Sequence, residues 1–313
     1  MKKTFKKINN CILLFLIILL MTSTGCIKKE IRVIVPEGMP YIAMGGLEGK
    51  MKIKIDRVSG SAALKAAFVA NDYDIIVAPF NLGVQLYNAK QSKYTVDSII
   101  GLNNLYIISQ SNFNLLTLRD ITQTEKPLLA FGQGNTPDLA LQAALKSQNV
   151  QKEIEYMNTV NEVMPFFASK KYDFALSAEP ILTIMRFNQN LLFNSLNLQD
   201  YVEAPIIQVA VFANANENKQ DRITEVLVQI KQNLNEMYEN PNSYAKKLVK
   251  KNDYFANIGE KVLTECVKNS NIRYRKATNY RIEINQYLNM IGYEIPHDFI
   301  YRKWAKRSLI FLE

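Results

Sequence analysis

The sequence predicts an α/β protein built from two lobes, each a mainly parallel sheet flanked by helices, with a helical C-terminal region. Two patterns and one size carry that expectation. Short, branched apolar runs alternate with stretches of helical apolar spacing between residues 31 and 187, as buried parallel strands and their crossover helices require. The alternation is interrupted by a long strand-like stretch at residues 98–109 and restarts at residue 128. With 313 residues and 48% hydrophobic content, the chain has ample material for two cores.

In order, residues 31–35, 52–57 and 74–78 read as strands, with helical spacing over 61–70 and 80–88. Their Val and Ile content suits a buried, pleated surface. Residues 128–131, 153–157 and 173–177 repeat the strand pattern, and 137–147, 160–168 and 180–187 repeat the helical one. Residues 205–213 form a second long strand-like run. From residue 219 onward the spacing is nearly all helical and amphipathic, with caps such as Pro241 and Asn279. No low-complexity linker is present, so strands, not a flexible tether, are expected to join the lobes.

The first 25 residues read as an export signal instead of fold. Lys2, Lys3, Lys6 and Lys7 precede an apolar run from Cys11 to Met21, and no acidic residue appears before Glu30. The run is shorter than the ~20 residues that span a bilayer comfortably. Thr22, Ser23, Thr24 and Gly25 then lead to Cys26, the order of a bacterial lipoprotein signal, with Ser23 where Leu is usual. Cys26 is the expected lipidation site, taking a diacylglycerol and fatty acids such as palmitate. That would hold everything from Ile27 onward at the extracytoplasmic face of the cell membrane.

Removing the signal takes four of 38 basic residues and none of 29 acidic ones, so 34 against 29 leaves +5 in place of +9. The densest basic clusters are Lys246, Lys247, Lys250 and Lys251, then Arg273, Arg275 and Lys276, then Arg302, Lys303, Lys306 and Arg307. They read as solvated helix faces near an anionic membrane, and no nucleic-acid motif accompanies them. Of three cysteines, Cys11 leaves with the signal and Cys26 carries lipid, so Cys266 stands alone and no internal disulfide forms. It sits in a helical pattern as a small buried hydrophobe. One histidine, His297, argues against a His-dependent metal site and offers no triad. Gly132-Gln133-Gly134 meets Pro137 where a dinucleotide fingerprint needs its third glycine.

The stretches Ser59-Gly60-Ser61-Ala62-Ala63-Leu64-Lys65-Ala66-Ala67-Phe68 and Tyr73-Asp74-Ile75-Ile76-Val77-Ala78-Pro79-Phe80-Asn81-Leu82-Gly83 resemble the first lobe of ABC-transporter solute-binding proteins. The nearest branch handles sulfonates, nitrate or thiamine-pyrimidine precursors. Phe131-Gly132-Gln133-Gly134-Asn135-Thr136-Pro137 resembles that family's second-lobe loop, and Ser177-Ala178-Glu179-Pro180 the following strand end. The resemblance implies the two-lobed type II periplasmic-binding-protein fold, with crossing strands near 101–109 and 205–213. Lobe one would comprise 27–104 plus 211–313, and lobe two 105–210. It further implies a monomeric, non-enzymatic lipoprotein without a cofactor or metal, capturing a small-molecule ligand for the permease and ATPase subunits of an importer. A ligand-sensing lipoprotein is an alternative reading. So is an enzyme resembling those of menaquinone-precursor synthesis, since one fold hosts several functions.

Ligands of open α/β sheets bind beyond the carboxyl ends of the strands, where helix N-termini offer free amides. Four loops meet that description. The first, Pro36-Glu37-Gly38-Met39-Pro40-Tyr41, offers Gly38, Met39, Pro40 and an aromatic wall at Tyr41. The second offers Ser59 and Ser61 beside Gly60, and the third Pro79, Phe80 and Asn81. The fourth offers Gln133, Gly134, Asn135 and Thr136, with Glu179 opening the next helix. Short polar side chains there either bind ligand or cap helices, and Phe80 reads equally as core. Glu179 would repel sulfonate or nitrate and accept hydrogen bonds from an amine or aminopyrimidine, and no arginine stands in these loops. A nitrogen-bearing or aromatic small molecule is therefore expected.

Overall fold

Two sheets organise the chain in the computed structural model, which describes residues 30–50, 52–188, 190–214, 219–295 and 298–300. The expected export signal at 1–25, Cys26 and His297 lie outside the described residues. The first sheet holds β1 (Ile31–Pro36), β2 (Ile53–Val58), β3 (Ile75–Pro79), β4 (Thr95–Leu102), β10 (Ile207–Ala213) and β11 (Ile272–Lys276), in the order β11-β4-β10-β3-β1-β2. The second holds β5 (Leu105–Gln110), β6 (Leu128–Phe131), β7 (Ile154–Met157), β8 (Phe174–Ala178) and β9 (Phe193–Asn197), in the order β7-β6-β8-β5-β9.

The α/β class is as expected, while the sheets are more mixed than mainly parallel. β1 pairs in parallel with β2 and β3, and β6 with β7 and β8. The strands that carry the chain between sheets run the other way: β10 is antiparallel to β3 and β4, and β5 to β8 and β9. The continuous strand-like stretch expected at 98–109 is two strands, because Asn103 adopts a left-handed conformation (φ 50°) between them. The region beyond 219 is not all helical: β11 adds an antiparallel edge to β4.

Helices follow the strands as the spacing predicts at α2 (Ser61–Ala70), α3 (Phe80–Asn88), α4 (Thr136–Ser147), α5 (Val160–Ala168) and α6 (Ile181–Asn188), while a short α1 (Met39–Met44) stands where a loop is expected. The C-terminal part supplies α7 (Gln220–Glu239), α8 (Pro241–Leu248), α9 (Asp253–Ile258), α10 (Glu260–Asn269) and α11 (Arg281–Met290). Alternation along strands sends Ile107, Leu128 and Ala130 into the larger core, and Ile108, Leu129 and Ala175 into a smaller one beneath α5 and α6. Against the first sheet, the ring of Phe68 meets Tyr94 and Phe212 edge-on at 5.4 and 5.2 Å. Such pairs add ~0.5–1.5 kcal/mol each beyond the area they bury. Gly83 lets α3 settle on Phe212, since a methyl there would stand 2.3 Å from that ring.

The chain passes between the sheets twice, at 103–104 and at 202–206. The passages are tied to each other: Asn103 donates its N–H to the Ile206 carbonyl (3.0 Å), and Ile206 donates back to Asn103 Oδ1 (3.0 Å). Asn104 N donates to Gln208 Oε1 at 2.7 Å. A paired crossing of this kind lets two bodies rotate with little repacking.

Candidate functional site

The carboxyl ends of five strands open on one cavity of about 370 Å3. The loop after β1 contributes Pro36, Glu37, Gly38, Met39 and Pro40, and the turn after β2 contributes Ser59, Gly60 and Ser61, with Leu64 behind them. Pro79 comes from the end of β3. From the second sheet, Thr159, Val160 and Asn161 follow β7, and Glu179, Pro180, Ile181 and Ile184 follow β8. Tyr254 and Ile258 of α9 close the remaining side.

Local geometry explains why these residues reach the cavity. Gly38 holds φ +89°, a left-handed turn where a side chain is strained, and so aims its N–H at the Tyr254 hydroxyl (3.2 Å). A Cβ on Gly38 would lie 3.6 Å from Cδ of Pro180, so the loops after β1 and β8 nearly touch across the cavity. Gly60 begins α2 with φ +77° and no side-chain cap. The Ser59 and Ser61 hydroxyls have no hydrogen-bond partner among the described residues; they are exposed at the cavity, and Ser61 is the first residue of α2.

Glu179 is 8% exposed. Its Oε2 accepts the Thr183 N–H at 3.1 Å, capping α6, while Asn104 clamps its backbone. The Asn104 side chain accepts from Glu179 N (3.3 Å) and donates to Glu179 O (3.4 Å). Burial raises the Glu179 carboxyl above its ordinary range, against the hydrogen bonds of Thr183 and the charge of Arg186. Arg186 itself donates to Ser195 and lies over the Phe193 ring, and no ion pair to Glu179 forms among the described residues. Glu37, by contrast, faces Arg57 at 3.4 Å, and that guanidinium also covers the Tyr254 ring at 4.6 Å.

Of the residues expected from sequence, Gly38, Met39, Pro40, Ser59, Ser61, Pro79 and Glu179 meet at this cavity. The others do not line it. Tyr41 is buried, with its hydroxyl on Glu48 (2.5 Å) and its ring stacked on Phe255. Phe80 sits in the core between Tyr287 and Phe299. Gln133 and Gly134 are exposed, and Gly134 N donates to Asp138 Oδ2 (2.8 Å), so Asp138 satisfies the start of α4 in place of an Asn135 cap. Asn135 reaches only the Gln133 carbonyl (3.4 Å). Thr136 and Asn81 meet each other instead: Thr136 Oγ1 donates to Asn81 Oδ1 (2.8 Å) and accepts from the Tyr287 hydroxyl (3.1 Å).

The aromatic wall is Tyr254, from a helix that sequence reasoning did not connect to the site. Nothing in its local sequence distinguishes it from the surrounding amphipathic pattern. Thr159 and Asn161 were legible in principle, since they stand at a strand-to-helix junction like the loops already singled out. Among the described residues, no cluster of three or more His, Cys, Asp or Glu side chains is placed to hold a metal ion. Nor is any helix among them long and apolar enough to cross a membrane.

No protein-family model matches the chain, and no curated protein does. Solved structures match well. An ABC transporter from Parabacteroides distasonis superimposes with a TM-score of 0.71 at 20% identity, covering 88% of this chain and 99% of its own. The ligand binding component of an ABC-type import system from Staphylococcus aureus, with zinc bound, gives 0.66 at 12% identity over 90% and 99%. The periplasmic aliphatic sulphonate binding protein of Escherichia coli gives 0.64 at 13% identity over 83% and 90%. These likenesses establish the fold: two α/β lobes of the periplasmic-binding-protein type.

Proposed function

We propose that the chain is an extracytoplasmic solute-binding lipoprotein of an ABC importer, a carrier and not an enzyme, that holds a small organic molecule between its lobes. The lobes would comprise 27–104 with 211–313, and 105–210. The observation that carries this reading is the convergence of loops after β1, β2 and β3 with loops after β7 and β8 on one cavity. A volume near 370 Å3 lies in the range of small-ligand sites, ~300–1,000 Å3, and its mixture of apolar walls with few polar groups is typical of them. The fold shared with import-system binding proteins supports the same role, as does the lipoprotein signal read in the sequence.

Native mass spectrometry of the purified protein tests the cavity. A small molecule should travel with the wild type and be absent from Ile184→Trp, whose indole would fill the space. A molecule retained equally by the variant overturns the reading. So does the absence of any bound molecule together with no thermal stabilisation across a broad metabolite panel. Anchoring is tested separately: labelled palmitate should enter the wild type and not Cys26→Ala. Label persisting on that variant removes Cys26 as the anchor.

A further inference from the structure

The cavity has one charged side chain with no ion-pair partner among the described residues. Its walls carry two carboxylates, Glu37 and Glu179, and neither lysine nor arginine. Arg57, behind the wall, faces Glu37 and leaves that pair near neutral. Glu179 has no ion-pair partner among the described residues; Thr183 engages it through its N–H at Oε2 and through its side chain, and Arg186 acts on its charge from farther off. A carboxylate that is 8% exposed, lines a cavity and forms no ion pair among the described residues can accept a further hydrogen bond from whatever enters. The walls also carry apolar surface, from Met39, Leu64, Val160, Ile181, Ile184 and the Tyr254 ring, beside the polar Ser59, Ser61, Thr159 and Asn161.

We propose that the ligand presents an N–H donor, protonated or neutral, to Glu179 from an apolar or aromatic body, and that compact anions are excluded. This rests on the solute-binding reading of the same cavity and names the class of solute. A donor supplies the carboxylate with a further hydrogen bond, and a charged one also offsets its charge. A sulfonate or nitrate would instead be buried beside that carboxylate, with no lysine or arginine in the walls to receive it. The uncapped amides at the start of α2 and the Ser59 and Ser61 hydroxyls, unpartnered among the described residues, favour an anion, and the experiment separates the two.

Calorimetric titrations with benzylamine, 4-aminopyrimidine, benzenesulfonate and nitrate, on wild type, Glu179→Gln and Ile184→Trp, test the proposal. The two nitrogen donors should bind the wild type, and benzylamine should weaken at least tenfold in Glu179→Gln and vanish in Ile184→Trp. The Gln side chain keeps an acceptor for Thr183 N, so α6 stays capped and a loss of affinity reports the replacement of the second carboxylate oxygen by an uncharged N–H group. Benzenesulfonate or nitrate binding that survives Glu179→Gln but not Ile184→Trp overturns the donor assignment while leaving the solute-binding reading intact. Donor binding that survives both variants shows that these probes bind elsewhere and also overturns it. Failure of both donors to bind the wild type at millimolar concentration overturns it too, whatever molecule co-purifies.

Discussion

Glu179 keeps an ionisable group where the fold has little use for one. Its cap on α6 needs only an oxygen acceptor, yet burial works against the charged form and raises the carboxyl above the ordinary range. The sign of the consequence follows from linkage. A folded-state value above the unfolded one means that stability is greatest at pH below the unfolded carboxyl, and falls as pH rises through the folded value. The Thr183 hydrogen bonds and Arg186 oppose the shift, while burial first and the Glu179 charge second raise the Tyr106 hydroxyl and the Cys266 thiol above their ordinary values. Glu179→Gln should therefore melt with the wild type near pH 4 and above it at pH 7–8. Each kcal/mol of relieved desolvation should appear as about 2–4 °C in Tm for a domain of this size. A Tm that falls at pH 7–8 would show that the carboxylate stabilises the fold and has been misread as a site group.

Among the elements, the junction between β4 and β5 carries more than connectivity. Asn104 holds both the N–H and the carbonyl of Glu179, and its own N–H reaches Gln208 on β10, so the crossing is joined directly to the cavity wall. Asn104→Ala should leave those two buried backbone groups unpaired, costing roughly 1–3 kcal/mol in denaturant unfolding. It should weaken ligand binding as well, because the β8–α6 turn loses its brace. Unchanged affinity beside the stability loss would confine Asn104 to a packing role. The α3 helix makes a different demand. Its Gly83 contact with Phe212 leaves no room for a methyl group, and Gly83→Ala should destabilise by ~1–3 kcal/mol despite the higher helix propensity of alanine. Equal or greater stability in chemical denaturation would show that Phe212 moves aside freely.

At the scale of the molecule, several polar contacts join elements on opposite sides of the cavity. Thr136 at the head of α4 meets Asn81 of α3 and Tyr287 of α11, and Asn269 of α10 donates to Thr183 of α6 (3.1 Å). Each hydrogen bond is worth about 0.5–1.5 kcal/mol, and 1.4 kcal/mol is a tenfold change in a two-state equilibrium. Thr136→Val with Asn269→Ala should accordingly shift the ligand-free protein toward an open form. Small-angle scattering should report a larger radius of gyration than the wild type, recovered on saturation with a cavity ligand. An identical radius in both proteins would show that these contacts do not set the opening.

The sequence by itself determined the alternation of elements and the strand ends on which the cavity loops sit. Buried parallel strands must be apolar throughout, so β1, β3, β6 and β8 announce themselves. It also singled out Gly38, Ser59, Ser61, Pro79 and Glu179, because a strand-to-helix junction leaves a local signature of glycine, proline and short polar residues. It did not reveal β9 or β11. Edge strands such as Phe193–Asn197 and Ile272–Lys276 pair on one side only and carry polar or charged residues that blur the two-residue period. Only the tertiary structure decided that Thr136 meets Asn81 and Tyr287 while Tyr254 walls the cavity. Tyr254 lies more than 200 positions from Gly38, whose N–H it accepts, and contacts at that separation are set by how the sheets and C-terminal helices pack. No local spacing records them.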